Sequence, residues 1–204
     1  GAERAAWYLK LNYPLLDEVT FWQAGNDTTE TLVTGDQRPF GSRAVDYRYF
    51  LLPVTLDGGE TRSLTIRIHS NGALNVPLSF ETLAEVIARS NHLTLTHGLF
   101  YGALLVFAVF NLLLFFSSGT GYYFYNAFYL GALGLFLFAM GGFANQYFWP
   151  DNPGFANTSI PLSLSLCALA MILFGRSFLE VDRGTISETV LKGQAWFCIG
   201  FLAL

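Results

Sequence analysis

From Leu93 to Gly175 the chain carries a single formal charge, Asp151. A run of roughly eighty residues so poor in ionised groups needs more cover than the rest of a 204-residue chain can supply as a protein core, so its solvent must be hydrocarbon. The remainder is different in kind. Residues 1–92 hold eight Lys/Arg and eleven Asp/Glu, whereas residues 93–204 hold three and four, so the 52% hydrophobic composition averages a water-soluble half and a lipid-soluble half.

In the lipid-soluble half, apolar runs of membrane-crossing length predict spans over about 93–117, 122–148 and 160–179, with a fourth starting near residue 190. Ser117–Gly121 reads as a tight turn, and Asp151–Ser159, rich in Pro, Gly and Asn, as a short loop. Aromatic residues at both ends of the second span, Tyr122 and Tyr147-Phe148-Trp149, fit an interfacial belt. The loop after span two has no Lys or Arg, while Arg176, Arg183 and Lys192 cluster between spans three and four. The bias of cations toward the cytoplasm then places that cluster inside and the N-terminal half outside, in the periplasm of a Gram-negative cell.

Residues 1–80 have a strand-like period of two. Trp7, Leu9, Leu11 and Tyr13 alternate with Tyr8, Lys10 and Asn12, and Leu64, Ile66 and Ile68 with Thr65, Arg67 and His69, so each strand has one dry face. Further strands are expected at Glu18–Gln23, Tyr47–Leu56 and Leu74–Phe80, with turns at Gly25-Asn26-Asp27, Gly35-Asp36 and Asp57-Gly58-Gly59. Short antiparallel strands at this spacing make a β-sandwich. Residues 81–92, with Leu83, Ala84, Val86, Ile87 and Ala88, read as a helical stalk that couples the domain to the first span. About eighty residues is thin for a two-sheet core, so further strands are expected before Gly1, and further helices after Leu204.

The order and spacing of several short stretches resemble the bacterial seven-transmembrane receptors with diverse intracellular signalling modules, and specifically their second type of extracellular domain. In the outer half these are Tyr13-Pro14-Leu15-Leu16-Asp17-Glu18-Val19, Gly35-Asp36 with Pro39-Phe40 and Arg43, and Tyr49-Phe50-Leu51-Leu52-Pro53-Val54. In the membrane half they are His97-Gly98-Leu99-Phe100-Tyr101-Gly102, Phe110-Asn111, Gln146-Tyr147-Phe148-Trp149-Pro150 and Phe174-Gly175-Arg176-Ser177-Phe178-Leu179. The resemblance implies a periplasmic jelly-roll sensor similar to carbohydrate-binding modules, seven helices, and a cytoplasmic histidine kinase or diguanylate cyclase beyond this chain.

For a sugar-like ligand, Trp22 is the leading stacking candidate because it is out of phase with Val19 and Phe21, although a rim or interface tryptophan is the commoner use of such a position. Asp36, Arg38 and Arg43 form a polar group around one turn, and bracing of that turn is the commoner use of such a group. In the membrane, Asn111 should hydrogen-bond to another helix, as packing glue or as a switch element. Gly98 and Gly102 permit close helix approach within one bundle or in a homodimer. Arg176 should snorkel to the phosphate layer, and His92 and His97 are wrongly spaced to chelate one metal from a helix.

Cys167 and Cys198 lie in apolar segments and read as packing residues. No nucleophile–base pair, phosphate-cradling loop or ligand cluster occurs, so neither an enzyme activity nor a cofactor is expected of this chain. A net charge of −4 without a basic tract argues against nucleic acid. The partners expected are the lipid bilayer and a small-molecule or carbohydrate-like ligand, in a signalling receptor of the inner membrane. The rival readings are a transporter or channel component, and an anchor whose sandwich binds another protein.

Overall fold

A computed structural model describes residues 5–24, 29–56, 61–179 and 186–202. The turns expected at 25–27 and 57–59, and Arg183, lie outside them. The chain divides into two compact units, Gly1–Leu93 with Met140–Asn157, and Thr94–Ala139 with Thr158–Leu204.

The first unit is a β-sandwich. Strands β1 (Ala5–Leu11), β4 (Phe50–Leu56) and β6 (Leu78–Thr82) form one antiparallel sheet in the order β4-β1-β6. Strands β2 (Glu18–Ala24), β3 (Thr29–Thr34) and β5 (Ser63–His69) form the other, in the order β3-β2-β5. Alternation decides which side chains meet between them. Leu9, Leu11, Phe50, Leu52 and Val54 from the first sheet pack with Val19 and Phe21 from the second and with Leu16. Each such side chain contributes about 1.5–3 kcal/mol by leaving water. Pro53 lies on the edge strand β4, where its missing N–H costs no ladder bond. Strand β3 was not anticipated from the sequence, and β4 and β6 begin at Phe50 and Leu78, within the stretches expected to be extended.

Lys10 departs from expectation. The alternation put it on the wet face of β1, yet it is 0% exposed. Its amine pairs with Glu81 Oε2 at 3.3 Å and lies over the rings of Tyr47 and Tyr49, at 5.8 and 5.6 Å from their centroids. The second face of this sheet is therefore covered as well, by the 43–49 segment.

Helix α1 (Leu83–Ser118) begins at the residue after β6. Its start is a capping box: Glu85 N–H donates to Thr82 Oγ1, and Glu85 Oε2 accepts from Thr82 N–H at 2.7 Å and from the Thr82 hydroxyl at 2.9 Å. Those bonds, the backbone one first, hold the Glu85 carboxyl below its ordinary range. Stalk and first span are thus one helix, and the boundary expected near residue 93 is not a break in it.

Helix α2 (Gly121–Met140) ends eight residues before the expected end of span two, because Gly142 sits at φ +77° and takes the left-handed conformation that closes helices. Helix α3 (Phe143–Tyr147) is a single turn. Helix α4 (Pro153–Phe178) starts seven residues earlier than the span read at Ile160. Asn152 Oδ1 accepts the Phe155 N–H at 3.1 Å as an N-cap, and Pro153 occupies the first helical position. What reads as a loop is in part a helix start. Helix α5 (Ile186–Leu202) begins before the expected Val190.

In the second unit Ala132, Cys167 and Ala170 form a small-residue contact between α2 and α4, flanked by Tyr129, Leu133 and Leu166. Helices α1, α2 and α4 are long and apolar enough to cross a membrane. The fold is that of a membrane protein with a sandwich domain at its N-terminal side.

Candidate functional site

Trp22 stands where its phase places it. Val19, Phe21 and Gln23 face the core, so Glu18, Thr20 and Trp22 share the opposite face of the β3-β2-β5 sheet. The register sets Thr31 and Thr65 beside Trp22, and Val33 and Arg67 beside Thr20. An indole half-buried between two exposed threonines, with Arg67 one step along the face, is a flat apolar surface rimmed by hydroxyl and guanidinium donors. Arg38 pairs with Glu18 at 3.2 Å at the start of β2, four residues along the strand from Trp22, and both side chains are exposed.

Asp36 and Arg43 lie elsewhere, inside the protein. The Arg43 guanidinium sits between the rings of Phe40 and Phe50, 4.6 and 4.4 Å from their centroids, and its Nη1 donates to the carbonyls of Tyr47 (3.0 Å) and Arg48. It braces the loop from Phe40 to Arg48. Burial lowers its pKa to about 10, against the pull of Asp36 and Asp46, so it stays cationic at neutral pH. Its Nε and Nη2 and the Asp36 Oδ1 are buried with no hydrogen-bond partner among the described residues. Asp36 accepts a hydrogen bond from the Asn157 side chain. Burial first, and the Asp17 carboxylate second, raise its pKa from 3.8 to about 6.

A folded pKa above the unfolded one means that the folded unit binds more protons between these values. Stability contributed by Asp36 is therefore full below about pH 4 and is lost as pH rises through about 6. The expected loss is on the order of 1–3 kcal/mol. Asp36→Asn should flatten that part of the profile, as read by denaturant midpoints of the lipid-reconstituted chain between pH 4.5 and 7.5.

The second partner of this region was not legible in the sequence. Residues 140–157 belong to the first unit, together with the sandwich. Phe40 N–H donates to the Pro150 carbonyl at 2.8 Å, Gln146 Nε2 to Asp46 Oδ1 at 3.2 Å, and the Arg48 guanidinium lies 4.5 Å from the Phe143 ring centroid. A Cβ at Gly142 would lie 2.6 Å from Pro14 Cβ, so only glycine lets the two segments meet.

In the second unit Asn111 finds its partner across helices. Its Oδ1 accepts from Asn126 Nδ2 at 3.0 Å, while its own Nδ2 donates to the Phe107 carbonyl at 2.8 Å. Asn126→Leu should cost about 0.5–1.5 kcal/mol of α1–α2 association, as measured by the unfolding midpoint in mixed micelles. Gly98 and Gly102 are exposed, and a Cβ at either would meet nothing within 4 Å, so no described helix uses that face. Arg176 pairs with the buried Glu188 at 3.1 Å, which Lys192 also holds at 2.8 Å, tying α4 to α5. Among the described residues no three His, Cys, Asp or Glu side chains gather into a metal cage.

A β-sandwich followed by long apolar helices defines a membrane protein with a folded N-terminal domain. Residues 93–204 match the model of the family described as 7TM diverse intracellular signalling, and residues 1–82 match that described as 7TMR-DISM extracellular 2. The chain belongs to the family of seven-transmembrane receptors with diverse intracellular signalling. No curated protein and no solved structure matches it.

Proposed function

We propose that the chain is the sensing and membrane-spanning part of a signalling receptor of the bacterial inner membrane, with its sandwich in the periplasm. A carbohydrate-like ligand stacks on Trp22, flanked by Thr31, Thr65 and Arg67, with Arg38 at the end of the same face. Binding shifts the packing of the helices and so regulates a cytoplasmic histidine kinase or diguanylate cyclase.

The observation that carries this reading is the unbroken α1, capped at Thr82 directly after a strand of the sensor sheet and continuing to Ser118. No flexible linker separates the sheet from the helix, so a displacement of β6 is a displacement of α1. The topology has support in the fold too. The 140–157 connection is part of the same unit as residues 1–93, which supports a topology with both on one side of the bilayer and the Ser117–Gly121 turn on the other. A transporter is less well served, because the sequence from Thr94 to Ala139 offers no carboxylate, lysine or arginine for a translocation path.

The test is a titration of the chain, reconstituted in lipid nanodiscs, with a panel of neutral and acidic oligosaccharides, followed by calorimetry. Saturable binding by at least one saccharide, weakened tenfold or more by Trp22→Ala and unaffected by Arg176→Ala, is the expected result. Binding that survives Trp22→Ala, or its absence across the panel, overturns the carbohydrate assignment.

A further inference from the structure

Helices α4 and α5 enclose an apolar groove within the second unit, of about 690 Å³. Ala168, Met171 and Gly175 line it from α4, and Gly193, Phe197 and Cys198 from α5. The two glycines keep it open, since a Cβ added at either would meet nothing within 4 Å. The volume is that of a small-molecule site, but of the lining side chains only the Gln194 amide is a strong hydrogen-bonding group. Nearly everything an occupant meets there is hydrocarbon.

Charge gathers at one end of the groove. Arg176 and Lys192 are the only lysine or arginine among the described residues of the second unit. Arg176 follows Gly175 in the chain, and Lys192 stands between Leu191 and Gly193, all three of which line the groove. Both cations bond the same Glu188 oxygen, Arg176 Nη2 at 3.1 Å and Lys192 Nζ at 2.8 Å. Glu188 is buried, whereas the side chains of Arg176 and Lys192 are 40% and 53% exposed. Two cations against one carboxylate leave one positive charge over among the described residues, and it lies on the exposed side of the cluster. An ammonium has three N–H donors, of which Glu188 takes one from Lys192.

From these cations the groove runs back along α4 to Ala168 and forward along α5 to Cys198, about 9–12 Å at 1.5 Å per residue. One leaflet of a roughly 30 Å hydrocarbon core is about 15 Å deep, so the groove fits within a single leaflet. An occupant that is apolar over this length and anionic at one end has the form of a phospholipid, and basic residues between membrane helices are where anionic headgroups bind. A neutral apolar molecule or a further apolar helix would fill the space and leave the charge unanswered.

We propose that the α4–α5 groove binds an anionic phospholipid, with an acyl chain along Met171, Gly175 and Phe197 and the phosphate on the Lys192 ammonium. Arg176 offsets Glu188, which leaves the Lys192 charge to the lipid. The site lies wholly in the second unit and needs nothing from the saccharide reading, only that α4 stands in a bilayer.

The test is native mass spectrometry of the whole chain, released from detergent micelles doped with equal amounts of phosphatidylglycerol and phosphatidylcholine of the same acyl chains. Phosphatidylglycerol should be retained about fivefold over phosphatidylcholine, and Lys192→Gln, which keeps the Arg176–Glu188 pair, should bring the ratio to about one. Gly175→Leu puts a side chain into the open space and should cut retention of both lipids about fivefold, with helix content by circular dichroism unchanged. If Gly175→Leu lowers helix content, Gly193→Leu fills the groove from the opposite wall and is read the same way. A ratio near one for the unaltered chain overturns the site, as does a ratio that survives Lys192→Gln. Retention that ignores the filled groove shows headgroups held at the surface alone, and a dimer mass in place of the lipid adducts shows a second copy in the groove; either result overturns the proposal. Because no saccharide enters the measurement, its failure leaves the titration above standing, and a failed titration leaves the lipid site standing.

Discussion

Lys10→Ala is expected to destabilise the sandwich unit by about 3–5 kcal/mol, the usual cost of removing one partner of a buried ion pair. Glu81, itself only 4% exposed, would keep the Ser79 hydroxyl at 3.0 Å and the Arg89 guanidinium at 3.3 Å but lose its only buried cation among the described residues. Arg89 is 60% exposed, and its own truncation should cost under about 1 kcal/mol. The double substitution Lys10→Met with Glu81→Leu should recover much of the loss, because the penalty lies in the stranded carboxylate. Guanidinium unfolding in nanodiscs, followed by tryptophan fluorescence, checks all three variants. Equal costs for Lys10→Ala and Arg89→Ala would show that the buried pair is not what holds this face together.

Gly35→Ala should be at least as damaging, at about 3 kcal/mol or more. Its Cβ would lie 2.1 Å from the Asp17 carbonyl oxygen, 2.8 Å from the Asp17 carbonyl carbon and 2.9 Å from Glu18 Cα, all backbone atoms with no rotamer to retreat into. Immediately after it the two segments are pinned by Asp36 N–H to the Leu16 carbonyl at 2.8 Å and Gln37 N–H to the Asp17 carbonyl at 3.3 Å. Glycine here lets β3 pass the start of β2 and delivers Asp36 to the place where Asn157 meets it. Accelerated exchange in β2 and β3 with α2 unchanged is the expected signature, and native protection in both strands would contradict it.

The solvent of each half was legible because it depends on composition alone. Strand positions followed from alternation where the contrast was sharp, as in β1 and β5. Strand β3, Thr-Glu-Thr-Leu-Val-Thr, escaped because threonines blur the two faces. Asn111 could be expected to seek a partner, since an amide in hydrocarbon is costly, but Asn126 could not be singled out without the α1–α2 geometry. Trp22 was placed by phase alone. The burial of Lys10 and Asp36 was hidden for a different reason: their partners, Glu81 and Asn157, come from segments far along the chain. The start of α4 was readable from Asn152-Pro153, an N-cap followed by the residue favoured at the first helical position, had the polar composition of that stretch not suggested a loop.

The length of α1 sets a depth gauge. Thirty-six residues at 1.5 Å each make a rod of about 54 Å, against roughly 30 Å of acyl chain, so on the order of sixteen residues must stand clear of the oil. The polar side chains Glu85, Arg89, Asn91 and His92 all fall in the first ten. A span that starts near Leu93 leaves these side chains in water, whereas sinking them into the acyl layer would carry the cost of burying charged and polar groups in hydrocarbon.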